Sequence, residues 1–130
     1  MSPGFPEESA SLATSNAELR YHEAVDSLAA GDLPAAIAGF RACLAADSEY
    51  ADAAHGLIHA LKDAGQLDDA VIAARELVAA HPEDVLAHTS LSILYQRQGN
   101  ILEAEAAATR ARLLGWKNQL REQKEAESRT

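Results

Sequence analysis

Apolar residues recur at intervals of three and four from Ala17 to Leu120. The pattern breaks at Gly31-Asp32, Asp47-Ser48, Gly65-Gln66, His81-Pro82, Gly99-Asn100 and Gly115. That period predicts amphipathic α-helices rather than strands. The stretches between breaks hold helices of about 12 to 14 residues, close to the ordinary helix length. Helix starts are also legible. Asp32 precedes Leu33-Pro34, which pairs an N-cap carboxylate with a proline tolerated in the first turn. Asn100 stands three residues before Glu103, the spacing of a capping box with Asn in place of Ser or Thr. Residues 1–16 are rich in Pro, Ser, Gly and Glu and lack a period. They read as a disordered N-terminal arm.

The breaks themselves repeat. Gly31, Gly65 and Gly99 recur every 34 residues, as do Leu33, Leu67 and Ile101, and Ala36, Ala70 and Ala104. A glycine ends the first helix of each unit, a branched apolar residue follows, and a small alanine comes three positions later. A fixed period of this length over helix–turn–helix units denotes a repeat architecture. Closely packed antiparallel helices need a small residue where their axes approach, and alanine supplies it. Each helix pair leaves one apolar face uncovered, which the next pair buries.

These residues resemble the tetratricopeptide repeat family, in three repeats over 17–50, 51–84 and 85–118. The second repeat carries Ala51-Asp52-Ala53-Ala54-His55-Gly56-Leu57-Ile58, then Gly65, Ala70, Leu77 and His81-Pro82. The third carries Leu91, Tyr95, Gly99, Ala104 and Ala111, and the first Gly31, Ala36, Phe40 and Leu44. The resemblance implies an all-α fold, a right-handed α-solenoid of three repeats with a C-terminal capping helix, and a role in protein–protein interaction.

Two departures from the family pattern carry structural expectations. The family frame would bury Arg20, Glu23 and Ser27 of the first helix, at a high desolvation cost. The stripe Tyr21-Ala24-Val25-Leu28 is instead apolar, so the first helix is expected to be turned by about one residue's 100° step. The third repeat ends Leu113-Leu114-Gly115-Trp116 rather than in Asp-Pro. That spacing predicts a glycine C-cap with Trp116 folding back on the last turn. Residues 119–130, with Leu120 just inside, would form a polar helical cap or tail.

Composition narrows the field. Alanine supplies 29 residues and aromatics only 5%, which argues against a sandwich or barrel. A net charge of −9 without a Lys/Arg cluster argues against nucleic acid as a partner. The N-terminus lacks a basic region and an apolar stretch, so no signal peptide is expected. No apolar run reaches the ~18 residues of a membrane helix, so no membrane partner is expected. The lone Cys43 excludes an internal disulfide and reads as a small buried hydrophobe. A cytoplasmic protein is the expectation.

No nucleophile–base pair, phosphate loop or CxxC motif appears, so no catalysis and no cofactor are expected. Paired carboxylates such as Asp68-Asp69 fall at helix starts, where the helix dipole favours them. The resemblance places ligand binding on a concave groove lined by the first helix of each pair. On this chain the groove would present His22 and Asp26 of the first unit, or Tyr21 and Val25 if that helix is not turned. The second unit offers Asp52, His55, His59, Lys62 and Asp63, and the third Thr89, Ile93, Gln96 and Arg97. Some relatives clamp a C-terminal peptide carboxylate with Lys, Arg and Asn. The corresponding Tyr21, Val25, Gly56, Leu86 and Ser90 cannot do so. A basic or mixed apolar segment of a partner is the better match to an acidic surface. His55 and His59, at i and i+4, share a helix face. They offer hydrogen bonds, or two ligands of a metal site that His22 would complete. His88, on the core stripe, reads as a satisfied, partly buried histidine. A further alternative is self-assembly into a homo-oligomer through the open ends, decided by whether Trp116 and Leu120 cap their own chain or a neighbour's.

Overall fold

The computed structural model describes the backbone of residues 5–129 and the side chains of residues 16–129. Among the described residues six helices follow one another: α1 (Phe5–Ala29), α2 (Leu33–Ala46), α3 (Ala51–Asp63), α4 (Leu67–Ala80), α5 (Val85–Gln98) and α6 (Ile101–Ser128). No strand occurs among the described residues. The helix junctions fall at five of the six sequence breaks. At three of them the chain turns in the same way. Gly31, Gly65 and Gly99 take φ near +80°, the left-handed region that glycine enters without strain. The amides of Asp32, Gln66 and Asn100 then reach back to the carbonyls of Ser27, Leu61 and Tyr95 at 2.8–2.9 Å. This is a Schellman closure repeated with the 34-residue period.

The chain forms two compact units, residues 1–70 and 71–130. In the first, α1 packs on α2, α2 on α3, and α1 touches α3. Two glycines permit this closeness. A Cβ on Gly39 would stand 2.7 Å from that of Ala24, and one on Gly56 would stand 2.5 Å from the Phe40 ring. Phe40 and Cys43 are among the largest fully buried side chains. Burial pushes the Cys43 thiol above its ordinary pKa, and the neighbouring Asp47 charge adds to the shift. In the second unit α5 packs on α6, around Leu91, Leu94, Ala104, Ala107, Ala111 and Leu114. Two buried polar groups find partners there. His88 Nε2 lies 2.9 Å from the Pro82 carbonyl, and the Ser92 hydroxyl donates to the Ala104 carbonyl at 2.9 Å.

Several expectations require correction. The backbone of α1 begins at Phe5, ahead of Ala17, where the helical period starts in the sequence. Beyond Pro6, which a first turn tolerates, that stretch contains no helix breaker. The first four residues lie outside the described residues. The turned first helix holds for Tyr21, Ala24 and Leu28, which face inward while Arg20 and Glu23 are exposed. Val25, however, is 37% exposed, because the inward face is centred on Ala17, Tyr21, Ala24 and Leu28. Ser27 is half-buried and satisfied by donating to the Glu23 carbonyl. Asn100 makes no side-chain cap. Its amide donates to Gln98 Oε1 instead, whereas Asp32 caps Ala35 as expected.

The largest correction lies at the C-terminus. Gly115 does not end a helix, and α6 runs unbroken to Ser128. Helix formers flank Gly115 on both sides, and nothing beyond it forces a left-handed residue. Trp116 does not fold back. It is 62% exposed, and Leu120 is 52% exposed.

Candidate functional site

The first unit carries two polar helix stripes built from carboxylates and imidazoles. On α1, Glu18, His22 and Asp26 follow at i, i+4 and i+8. On α3, Asp52, His55, His59 and Asp63 follow at i, i+3, i+7 and i+11. Both spacings keep one face of a helix. In each stripe an imidazole lies beside a carboxylate: His22 is 3.7 Å from Glu18 and His59 is 3.2 Å from Asp63. All of these residues are exposed except His55, which is half-buried.

Aromatic contact ties the two stripes together. The Tyr21 ring on α1 stacks on Tyr50, the residue before α3, with centroids 5.2 Å apart. It also lies 6.0 Å from Phe40 beneath and 5.6 Å edge-on from His22. Such pairs add modest energy beyond their buried area and fix relative orientation. Burial against this cluster raises the Tyr50 phenol above its ordinary pKa. Smaller contributions come from Cys43, Glu18, Tyr21 and Asp52.

Among the residues expected to bind, the structure sets Tyr21 against Tyr50 and His22 edge-on to Tyr21, and Asp52 lies in the first turn of α3. Asp26, His55 and His59 continue the two stripes. Lys62 is half-buried in the last turn of α3, where a cation favours the helix dipole. In the second unit Ile93, Gln96 and Arg97 are exposed on α5, while the Thr89 hydroxyl donates to the Val85 carbonyl of its own helix. Tyr50 and Glu18 were missed by sequence reasoning. Tyr50 sits in the turn after Asp47-Ser48 and so reads as loop. The available signal was rarity, since the chain has only three tyrosines and two of them stack here. No group of three His, Cys, Asp or Glu side chains among the described residues could hold a metal ion. No helix among the described residues is long and apolar enough to cross a membrane.

Charge separates the units. Residues 1–70 carry 12 acidic and 3 basic side chains, and residues 71–130 carry 8 of each, so the net −9 belongs to the first unit.

The 34-residue helical period, the repeated glycine closures and the all-helical fold define a tetratricopeptide-type helical repeat. Residues 27–89, just under half of the chain, match the family model described as tetratricopeptide repeat, and that match together with the fold supports a tetratricopeptide repeat family. Its repeats are generally non-catalytic interaction modules. No curated protein matches the sequence. Among solved structures, the chain is similar in fold to a crystal structure of MamA, with a TM-score of 0.77 and 24% identity over 82% of this chain. A MamA MSR-1 structure gives a TM-score of 0.73 and 18% identity over 86% of this chain. The chain spans 62% and 64% of those two proteins.

Proposed function

We propose that this chain is a non-catalytic protein–protein interaction module, a cytoplasmic scaffold or adaptor that docks a peptide segment of a partner. The docking face is formed by α1 and α3, with Tyr21, His22, Asp26, Asp52, His55, His59 and Lys62 as its contacts. In the second unit, Thr89, Ile93, Gln96 and Arg97 of α5 offer further contacts. The observation that carries this reading is the Tyr21–Tyr50 stack, which joins α1 to the residue before α3, on helices that each carry an acidic, histidine-bearing stripe. A half-buried aromatic pair flanked by exposed carboxylates suits a segment that alternates cations with apolar side chains. Helix burial along the face supplies rigidity, so binding needs little reordering.

A peptide array probed with the intact chain tests the reading. Basic apolar segments should be retained, and acidic segments of equal hydropathy should not. His59→Ala with Asp26→Lys should lower retention about tenfold or more, with an unchanged melting temperature because both positions are exposed. Retention that ignores peptide charge, or survives this variant, would overturn the reading.

A further inference from the structure

Helix α6 is twice the length of α2, α4 and α5, with 28 residues against 14. One face is buried through Ala104, Ala107, Ala111 and Leu114. The opposite face is apolar as well. Leu102, Leu113, Trp116 and Leu120 are all more than half exposed. At 100° per residue they fall within a narrow sector of the helix, diametrically across from the buried stripe. The rim of this second stripe is basic. Between Ala106 and Arg121 stand Arg110, Arg112, Lys117 and Arg121, and no acidic residue. Arg112 and Arg121 donate to the neutral oxygens of Thr109 and Asn118, which holds them along the helix without cancelling their charge. Lys117 reaches Glu83 in an exposed pair, a contact of small worth in water.

From this arrangement we infer that the outer face of α6 docks on the acidic α1–α3 face of a second copy of this chain. The choice of occupant rests on charge and on chemistry. The stripe needs an acidic, aromatic-bearing surface, and the first unit supplies one in every molecule, with Tyr21 and Tyr50 to receive Trp116 and carboxylates to receive the arginines. Pairing of α6 with α6 about a two-fold would set the same cations against one another. An anionic membrane would attract α6, but the net −9 of the first unit would oppose it. The contact joins unlike surfaces, so each joined pair retains one free donor and one free acceptor, and association is open-ended. This inference rests on the docking function proposed for the α1–α3 face and names the segment that fills it.

Sedimentation velocity of the intact chain over a range of concentrations tests it. Wild type should form dimers and larger species that dissociate as salt is raised. Trp116→Ser with Leu120→Ser removes the donor, and Glu18→Lys with Asp26→Lys removes the acceptor. Each variant alone should associate at least about tenfold more weakly than wild type. A mixture of the two should form a 1:1 complex that grows no further, because only one competent pair of surfaces remains. All four positions are exposed, and circular dichroism checks that each variant is folded. A wild type that stays monomeric, a mixture that does not associate, or an acceptor variant that still dimerises alone would overturn the inference. So would a wild type that leaves solution only for phosphatidylserine vesicles. A synthetic peptide of residues 106–124 separates this inference from the docking function it rests on. If the peptide binds the wild type and not the acceptor variant while the chain stays monomeric, peptide docking stands and self-docking fails. If the peptide binds both equally, the docking face itself is wrong.

Discussion

The two halves of this chain use the same helix pattern to make different surfaces. Residues 1–70 close their core with rings: Phe40 fills the space over Gly56, and Tyr21 and Tyr50 stack beside it. Their outside is acidic and carries only two exposed large hydrophobic residues among the described ones, Leu19 and Val25. Residues 71–130 close their core with aliphatic side chains and two buried polar bonds. Their outside is charge-balanced and displays eight exposed large hydrophobic residues, from Ile72 to Leu120. A repeat period fixes where helices start, stop and approach. It leaves the outer positions open, and there the halves diverge into an acidic face and an apolar one rimmed with cations.

Opening each core in turn should set the halves apart most clearly. Phe40→Ala should cost about 3–5 kcal/mol and Leu94→Ala about 2–5 kcal/mol in chemical denaturation. The near-ultraviolet tyrosine signal separates them. It should collapse in Phe40→Ala, whose ring supports Tyr21, and persist in folded Leu94→Ala. Equal loss in both variants would mean that the aromatic cluster is not local to the first half.

Two glycines extend the contrast with opposite signs. A methyl group on Gly56 meets the Phe40 ring, so Gly56→Ala should destabilise by about 1–3 kcal/mol. A methyl group on Gly115 meets nothing within 4 Å, inside an unbroken helix. Gly115→Ala should therefore raise stability by about 0.5–1 kcal/mol. Destabilisation by Gly115→Ala would indicate that α6 breaks there after all.

The smallest effect is alkaline. The folded state holds the Cys43 and Tyr50 protons more tightly than the unfolded chain does. In that pH range the unfolded state binds fewer protons, so stability falls as pH rises. The loss should begin near the ordinary thiol value of about 8.5 and continue past the phenol value of about 10. Cys43→Ala should remove the earlier part of the fall and Tyr50→Phe the later part. A melting temperature that is flat from pH 8 to 11 would contradict both assignments.

Much of the fold was legible because the glycines at 31, 65 and 99 do one job, closing a helix with a left-handed residue, and their spacing advertises it. Ala36, Ala70 and Ala104 were legible for the related reason that close helix approach admits only small side chains. Gly115 misled because a glycine followed by a tryptophan looks like a C-cap. The segment beyond it, Lys117 to Ser128, is strongly helix-forming, and propensity over that length outweighs one permissive residue. The inward face of α1 was read nearly correctly. Val25 failed because an apolar residue at the edge of a helical face points inward or outward according to the rotation of the whole helix, which a single turn of sequence does not fix. The candidate site was half legible. Histidines and carboxylates on helix faces can be placed from spacing alone. The stacking of Tyr21 on Tyr50 joins residues 29 positions apart in different elements, and no local pattern encodes it.

The proposal that the acidic, tyrosine-bearing face of the first half docks a segment can be tested residue by residue. The isotope-labelled full chain would be titrated with the unlabelled peptide of residues 106–124 while backbone amide shifts are followed. Saturable shifts are expected on α1 and α3, concentrated around Glu18–Asp26 and Tyr50–Asp63 and weakening as salt is raised. Shifts confined to residues 71–130, or none at saturating peptide, would place recognition elsewhere or nowhere on this chain.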